Sequence, residues 1–143
     1  MTRDLRICRA LLVDHCLVSF DVFLQRFSGG DAAAGGGEEA LRVLAPYLAH
    51  PPRGGYALVR TGDGEADVYG LGSDHLMINH AAGEQIADLI VEVARAAGWA
   101  ILAVGCPACV TGTEMIGNLP DELRVSAIVV NSGAGLREAI RKS

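Results

Sequence analysis

The chain has 143 residues, is 50% hydrophobic and 20% charged, and carries a formal net charge of −5 at pH 7. This length and apolar content predict a single globular domain over residues 1–143 and exclude an intrinsically disordered protein. Because the net charge is negative and the basic residues are scattered, we do not expect nucleic-acid binding.

The longest uncharged run, residues 96–113, contains several glycines and a proline. We interpret it as a buried strand followed by a loop, because such residues interrupt a membrane-spanning helix. The apolar stretch Ala10–Val13 ends at Asp14 before it reaches the length of a secretory signal. We therefore expect a cytoplasmic protein that does not contact a membrane.

Residues 14–27 fit two patterns. Apolar residues at three- and four-residue spacing predict a helix that begins after Asp14, whereas the alternation of Val18, Phe20, Val22 and Leu24 with polar residues indicates a strand. We predict a helix and keep the strand as the alternative. The glycine-rich stretch over about residues 28–37 is predicted to be a flexible loop.

The middle of the chain predicts one helix and three strands. A helix is expected over Glu38–Ala49, because leucines share one of its faces and two prolines follow it. Residues 56–60 and 66–70 flank a glycine-containing turn and predict an antiparallel hairpin. His75–Ile78 is predicted to be a third short strand.

The second half alternates helices and strands. Residues 82–97 form the clearest amphipathic helix, and Gly98 ends it. Trp99–Val104 and Val125–Val130 are predicted to be central strands, and Gly133–Arg141 a final helix. The fold class is therefore α/β or α+β, with a mixed sheet of about four to five strands and helices packed on it. The predicted single core contains Ile86, Leu89, Ile90, Val93, Ile101, Leu102 and Val129.

Cys106 and Cys109 follow the predicted central strand at a spacing that suits a redox pair or half of a zinc site. The other two cysteines, Cys8 and Cys16, are too far apart in sequence for the usual second zinc pair. In a reducing compartment we expect reduced, metal-free thiols and no cofactor. The alternative is a thiol-redox or metal-dependent enzyme centred on Cys106 and Cys109, with His75 or His80 nearby.

Two helix entries also carry polar residues. His80 and Glu84 could share a helical face as an acid–base pair or as metal ligands, but we favour Asn79 or His80 as a helix cap. The turn at residues 132–135 could bind phosphate, but its serine is predicted to be an N-cap because the glycine fingerprint is incomplete.

Glu84, Asp88 and Glu92 recur every four residues on the polar face of the clearest helix. Like charges at this spacing slightly destabilise a helix, so their presence favours a role in meeting a basic partner. No convincing catalytic set is present, which favours a binding protein over an enzyme. The general character is similar to that of immunity proteins, and we predict a small acidic protein-binding domain that neutralises a cognate bacterial toxin by occlusion.

Overall fold

The structure is a computed structural model, and it describes residues 20–142. The prediction for residues 14–19 and the prediction of free thiols at Cys8 and Cys16 lie outside this range. Within it, the chain is a mixed α/β fold with one sheet of eight strands rather than four to five.

The sheet has the strand order β3-β4-β5-β1-β6-β7-β8, and β2 forms a hairpin with β1. All neighbours are antiparallel except β7 and β8, which are parallel. The strands are β1 (Phe20–Ser28), β2 (Asp31–Ala33), β3 (Ala57–Arg60), β4 (Glu65–Tyr69), β5 (His75–Ala82), β6 (Ala100–Ala103), β7 (Cys109–Val110) and β8 (Ile128–Val129). The helices are α1 (Gly37–Leu44), α2 (Glu84–Ala97), α3 (Asp121–Arg124) and α4 (Gly133–Arg141), and 3-10 turns cover Ala45–Tyr47 and Thr113–Asn118.

The helix prediction for residues 14–27 is wrong over its described part, where the strand alternative is confirmed. β1 is hydrogen-bonded between β5 and β6 at the centre of the sheet. Val22 and Leu24 are fully buried on one side of it, and Phe23 between them is exposed on the other. Residues 20–28 therefore follow the two-residue alternation of a strand rather than the three- and four-residue spacing of a helix, because both neighbouring strands supply hydrogen bonds to them.

The glycine-rich stretch is also more regular than predicted. Gly29 and Gly30 both have positive φ and make the turn that pairs β2 with β1. α1 is shorter than predicted and tightens into a 3-10 turn at Ala45–Tyr47. Pro46 explains this change because it has no N–H to donate to the preceding helical turn.

The predicted hairpin is confirmed by β3 and β4, and the helices predicted over 82–97 and 133–141 are confirmed as α2 and α4. The strand predicted over Trp99–Val104 is confirmed as β6. The strand predicted over Val125–Val130 shrinks to the two residues of β8. Within residues 20–142, no helix combines the length and apolar character needed to cross a bilayer.

Helices α1, α2 and α4 cover one face of the sheet, which we call the inner face. Ile86, Leu89, Ile90, Val93 and Ile101 lie in the core between these layers, as predicted. Leu102 and Val129 do not, and belong to a second cluster with residues from the 113–124 segment. The single-core prediction fails for these two because adjacent strand residues, such as Ile101 and Leu102, point to opposite faces.

Candidate functional site

His80 lies in a β-bulge near the end of β5. Phe20 on β1 pairs with Ala81, whereas Val22 pairs with Ile78, so β5 holds one extra residue between these two pairs. The pairing of β5 with β4 is shifted in the same place. His80 is also the one non-glycine residue with positive φ, at 57°, in the described chain. This conformation costs an L-residue about 1–2 kcal/mol, and bulges of this kind re-aim side chains near functional sites.

The bulge corrects the sequence-based hypothesis for His80. His80 belongs to a strand, and α2 begins only at Glu84 after Gly83, so His80 and Glu84 do not share a helical face. Neither Asn79 nor His80 caps α2. The carboxylate of Asp63, in the turn between β3 and β4, accepts the backbone N–H groups of Glu84 and Gln85 instead.

A hydrogen-bond chain fixes the His80 side chain. Its Nδ1 lies 3.0 Å from Oδ2 of Asp67, and the Tyr56 hydroxyl donates to Oδ1 of the same carboxylate at 2.7 Å. The backbone N–H of His80 donates to Oδ1 of Asp21 at 2.9 Å. Hydrogen bonds from Tyr56 and His80 lower the pKa of Asp67, and the bond to Asp67 raises the pKa of Tyr56. An ionised Asp67 requires the proton on Nδ1, which leaves Nε2 as the free nitrogen of the ring.

His80 and Cys106 line one open groove of about 420 Å³ at this end of the sheet. Cys106 reaches the groove through a tight turn after β6, in which its N–H donates to the Ala103 carbonyl at 3.0 Å and Gly105 has a φ of 78°. Such a turn needs a residue that tolerates positive φ at its third position. The remaining groove residues are Phe20, Asp21, Ala103, Val104 and Ile140.

The structure separates the other candidates of the thiol hypothesis from this groove. Cys109 is buried on β7, and burial raises the pKa of its thiol to about 11. His75 pairs with Gln25, toward the opposite end of β1 from Phe20. Cys106 and Cys109 are both free thiols. Over residues 20–142, no three histidine, cysteine or acidic side chains are grouped as a metal site would need.

The acidic stripe on α2 consists of Glu84, Asp88 and Glu92, and two of its members have partners inside the fold. Glu84 Oε2 lies 3.6 Å from the guanidinium of Arg137, and Asp88 Oδ1 accepts the Gly133 N–H at 2.8 Å. Glu92 makes no hydrogen bond or ion pair within the described range. Part of the negative charge of the stripe therefore serves the packing of α4 on α2.

The turn at the start of α4, where a phosphate site was one of two predictions, is capped by its own serine. The Ser132 hydroxyl accepts the Gly135 N–H, which confirms the N-cap prediction and occupies one amide that a phosphate would need.

A shallow cleft of about 170 Å³ lies beside the acidic stripe, between Asp88, Glu92 and the exposed ring of Tyr47.

The face of β3, β4, β5 and β1 that points away from the helices carries a row of apolar side chains, which we call the open face. Tyr69 pairs with Met77, and Met77 with Phe23, so the row crosses β4, β5 and β1 in register. Leu102 of β6, which pairs with Phe23, belongs to the covered second cluster. Phe23 is 45% exposed and Tyr69 39% exposed. The Tyr56 ring extends the row, with its centroid 5.1 Å from that of Tyr69. The 113–124 segment covers this side of the sheet near β6, β7, β8 and Phe27 at the far end of β1.

The residues that matter most on this face were missed at the sequence level. The hairpin prediction gives Asp67 an ordinary polar position on a strand, and the helix prediction for residues 14–27 includes both Asp21 and Phe23. The alternation of Asp67 and Tyr69 with buried Ala66 and Val68 was the available signal, since it indicates that the Asp67 and Tyr69 side chains point away from the core.

No protein-family model matches the chain, and no curated protein and no solved structure matches it either.

Proposed function

We propose that this chain is a small protein-binding domain that docks its partner on the open face. The row formed by Tyr69, Met77 and Phe23 is the observation that carries the proposal. Aromatic residues and methionine are enriched at the centres of protein interfaces, where they supply most of the binding energy. Here two exposed aromatic rings lie in one continuous row on the outer side of a sheet.

The charges around this row favour a basic partner. Asp21, Asp67 and Glu65 project from the same face, where Arg60 lies 3.4 Å from Glu65. Arg53, which is bridged to Tyr56, adds a second arginine at the end of the row. The formal net charge of −5 adds a long-range attraction for a positive protein. An apolar centre with acidic neighbours suits occlusion of a basic site on the partner.

The acidic stripe remains a second candidate surface. α2 packs on the inner face, so the stripe and the open face lie on opposite sides of the sheet. A partner of ordinary size therefore docks on one of them. Neutralisation of a bacterial toxin is one form that such occlusion could take, and it stays a prediction.

The test is the affinity of the purified product of the neighbouring gene, as the first candidate partner, for variants of each surface. Phe23→Ser removes the most exposed aromatic ring of the row, and Tyr47→Ser is its matched control, since Tyr47 is 38% exposed beside the stripe. Loss of a central aromatic anchor costs about 2 kcal/mol or more, which is roughly a thirtyfold weaker affinity. We expect that loss for Phe23→Ser and little change for Tyr47→Ser.

Two results contradict this assignment. Unchanged affinity of Phe23→Ser, with a loss in the triple variant Glu84→Lys, Asp88→Lys, Glu92→Lys, moves the docking surface to α2. Tight binding of a synthetic peptide of residues 1–19 to a chain that lacks them, abolished by Phe23→Ser, assigns the open face to the chain's own first residues.

A further inference from the structure

We infer, on the basis of the proposed function, that the partner element docked on the open face is a basic amphipathic α-helix lying across the strands. Three features of the described chain favour this occupant. The edge of the sheet beside the open face is closed, the apolar row runs from strand to strand, and carboxylates flank the row on one side.

β3, the edge strand beside the open face, is closed to strand addition at Leu58. The Leu58 carbonyl accepts the Ala49 N–H at 2.8 Å, and the Leu58 N–H donates to Nε2 of His50 at 3.2 Å. A partner therefore cannot pair its backbone with this residue and has to bind through side chains on the face. Because the apolar row offers no pairing strand either, the partner's backbone groups need partners within their own segment, as in an α-helix.

The apolar row runs across the strands rather than along one of them. Tyr69, Met77 and Phe23 are successive cross-strand partners on β4, β5 and β1. Neighbouring strands lie about 4.8 Å apart, and an α-helix rises about 5.4 Å per turn. A helix that crosses these strands therefore brings about one side chain per turn over each of them. Apolar residues at the spacing i, i+4 and i+7, which is typical of an amphipathic helix, meet this row.

Acidic residues flank the row on one side. Asp67 comes two residues before Tyr69 on β4, and Asp21 comes two residues before Phe23 on β1. Because β4 and β1 are both antiparallel to β5, the two carboxylates lie on the same side of the row. On the other side, β1 carries the uncharged Gln25. The complementary helix therefore has lysine or arginine along one flank of its apolar stripe.

The two carboxylates are spaced for basic residues two helical turns apart. β5 separates β4 from β1, so Asp67 and Asp21 lie two strand spacings, about 10 Å, apart, and helical residues i and i+7 lie about 10.5 Å apart. The hydrogen bond from Tyr56 is the largest of the effects that lower the pKa of Asp67, so this carboxylate is ionised at neutral pH. Glu65, by contrast, is already paired with Arg60.

The test uses the ¹⁵N-labelled full chain and two synthetic peptides of identical composition, each about 14 residues long, or about 21 Å as a helix. The helical peptide has leucines at helical spacing, lysines along one flank and alanine elsewhere. Its isomer has the same residues in strict apolar–polar alternation, which suits a strand. We expect the helical peptide to shift amides of β1, β4 and β5. It should bind about tenfold or more tightly than the isomer, whose backbone groups would stay unpaired on this face.

Two substitutions form a matched pair for the charge. Asp21→Asn and Asp31→Asn each remove one negative charge, but Asp21 flanks the row and Asp31 lies on β2, outside it. Asp21→Asn should weaken binding of the helical peptide about threefold and reduce its salt dependence, whereas Asp31→Asn should change both little. Phe23→Ser should weaken binding about tenfold or more. Urea unfolding shows that the variants are folded.

The possible results distinguish the helix from the proposed function. Equal binding of the two peptides, abolished by Phe23→Ser, would overturn the helix while the open face stays a docking surface. Absence of shifts on β1, β4 and β5 with either peptide, or equal effects of Asp21→Asn and Asp31→Asn, would also overturn it. The proposed function fails by a different measurement, which is unchanged affinity of the candidate partner for Phe23→Ser.

Discussion

The inner and open faces of the sheet are made from the same strands but differ in whether helices cover them. On β1, β4 and β5, the buried inner residues are small or aliphatic and pack beneath α1, α2 and α4; they are Val22, Leu24, Ala66, Val68, Leu76, Ile78 and Ala81. The outer residues of the same strands mix carboxylates with Phe23, Tyr69 and Met77, and no helix among residues 20–142 packs over that part of the sheet. The inner face thus supplies stability, and the open face retains apolar surface that folding does not use.

Burial, rather than residue type, separates the apolar residues that stabilise this sheet from those that stay available for contact. A contiguous exposed apolar patch on a folded domain marks an interaction surface more often than an isolated exposed residue does. Equivalent substitutions on the two faces should therefore differ in their effects on stability and on binding.

The largest expected loss of folding stability comes from a substitution on the inner face. Leu89 is 4% exposed in the core, so Leu89→Ala should lower the free energy of unfolding by about 2–5 kcal/mol. Phe23→Ala on the open face should cost less than about 1 kcal/mol, because its ring is already partly solvated. Urea unfolding of both variants measures this contrast, and equal losses would show that Phe23 belongs to a core.

A smaller effect separates the members of the acidic stripe. Asp88→Ala removes the acceptor of the Gly133 N–H at the start of α4 and should cost about 1 kcal/mol. Glu92→Ala, on the same stripe, should change stability by less than about 0.5 kcal/mol, since Glu92 has no partner in the described range. Thermal and urea unfolding would contradict this division if Glu92→Ala were the more costly change.

The sequence predicts the inner face better than the open face. The periodicity of α2 identifies Ile86, Leu89, Ile90 and Val93 as core residues, because their burial follows from local spacing. The contacts of His80 depend on Asp67 and Asp21, which come from two other strands. They also depend on a β-bulge that no local sequence pattern predicts. Cys106 and His80 line one groove because β6 and β5 both flank β1. Long-range pairing, which a single sequence does not display, decides the site.

The smallest effect concerns acid stability at the edge of the open face. The pKa of Asp67 is lowered in the folded chain, so its ionised form stabilises the fold above the ordinary carboxyl pKa of about 4. This contribution is lost as the pH falls through the lowered value. Unfolding free energies measured from pH 6 downward should therefore fall less steeply below about pH 4 in Asp67→Asn than in wild type. A Tyr56→Phe control, which removes one of the two donors, should give an intermediate slope.

The most direct test of the open face is a titration of the ¹⁵N-labelled chain with the candidate partner, followed by amide chemical shifts. The proposal predicts shifts and line broadening that concentrate on β1, β4 and β5, around Phe23, Tyr69 and Met77, with little change along α2. Perturbations centred instead on Glu84, Asp88 and Glu92, with β1 and β4 unchanged, would contradict it.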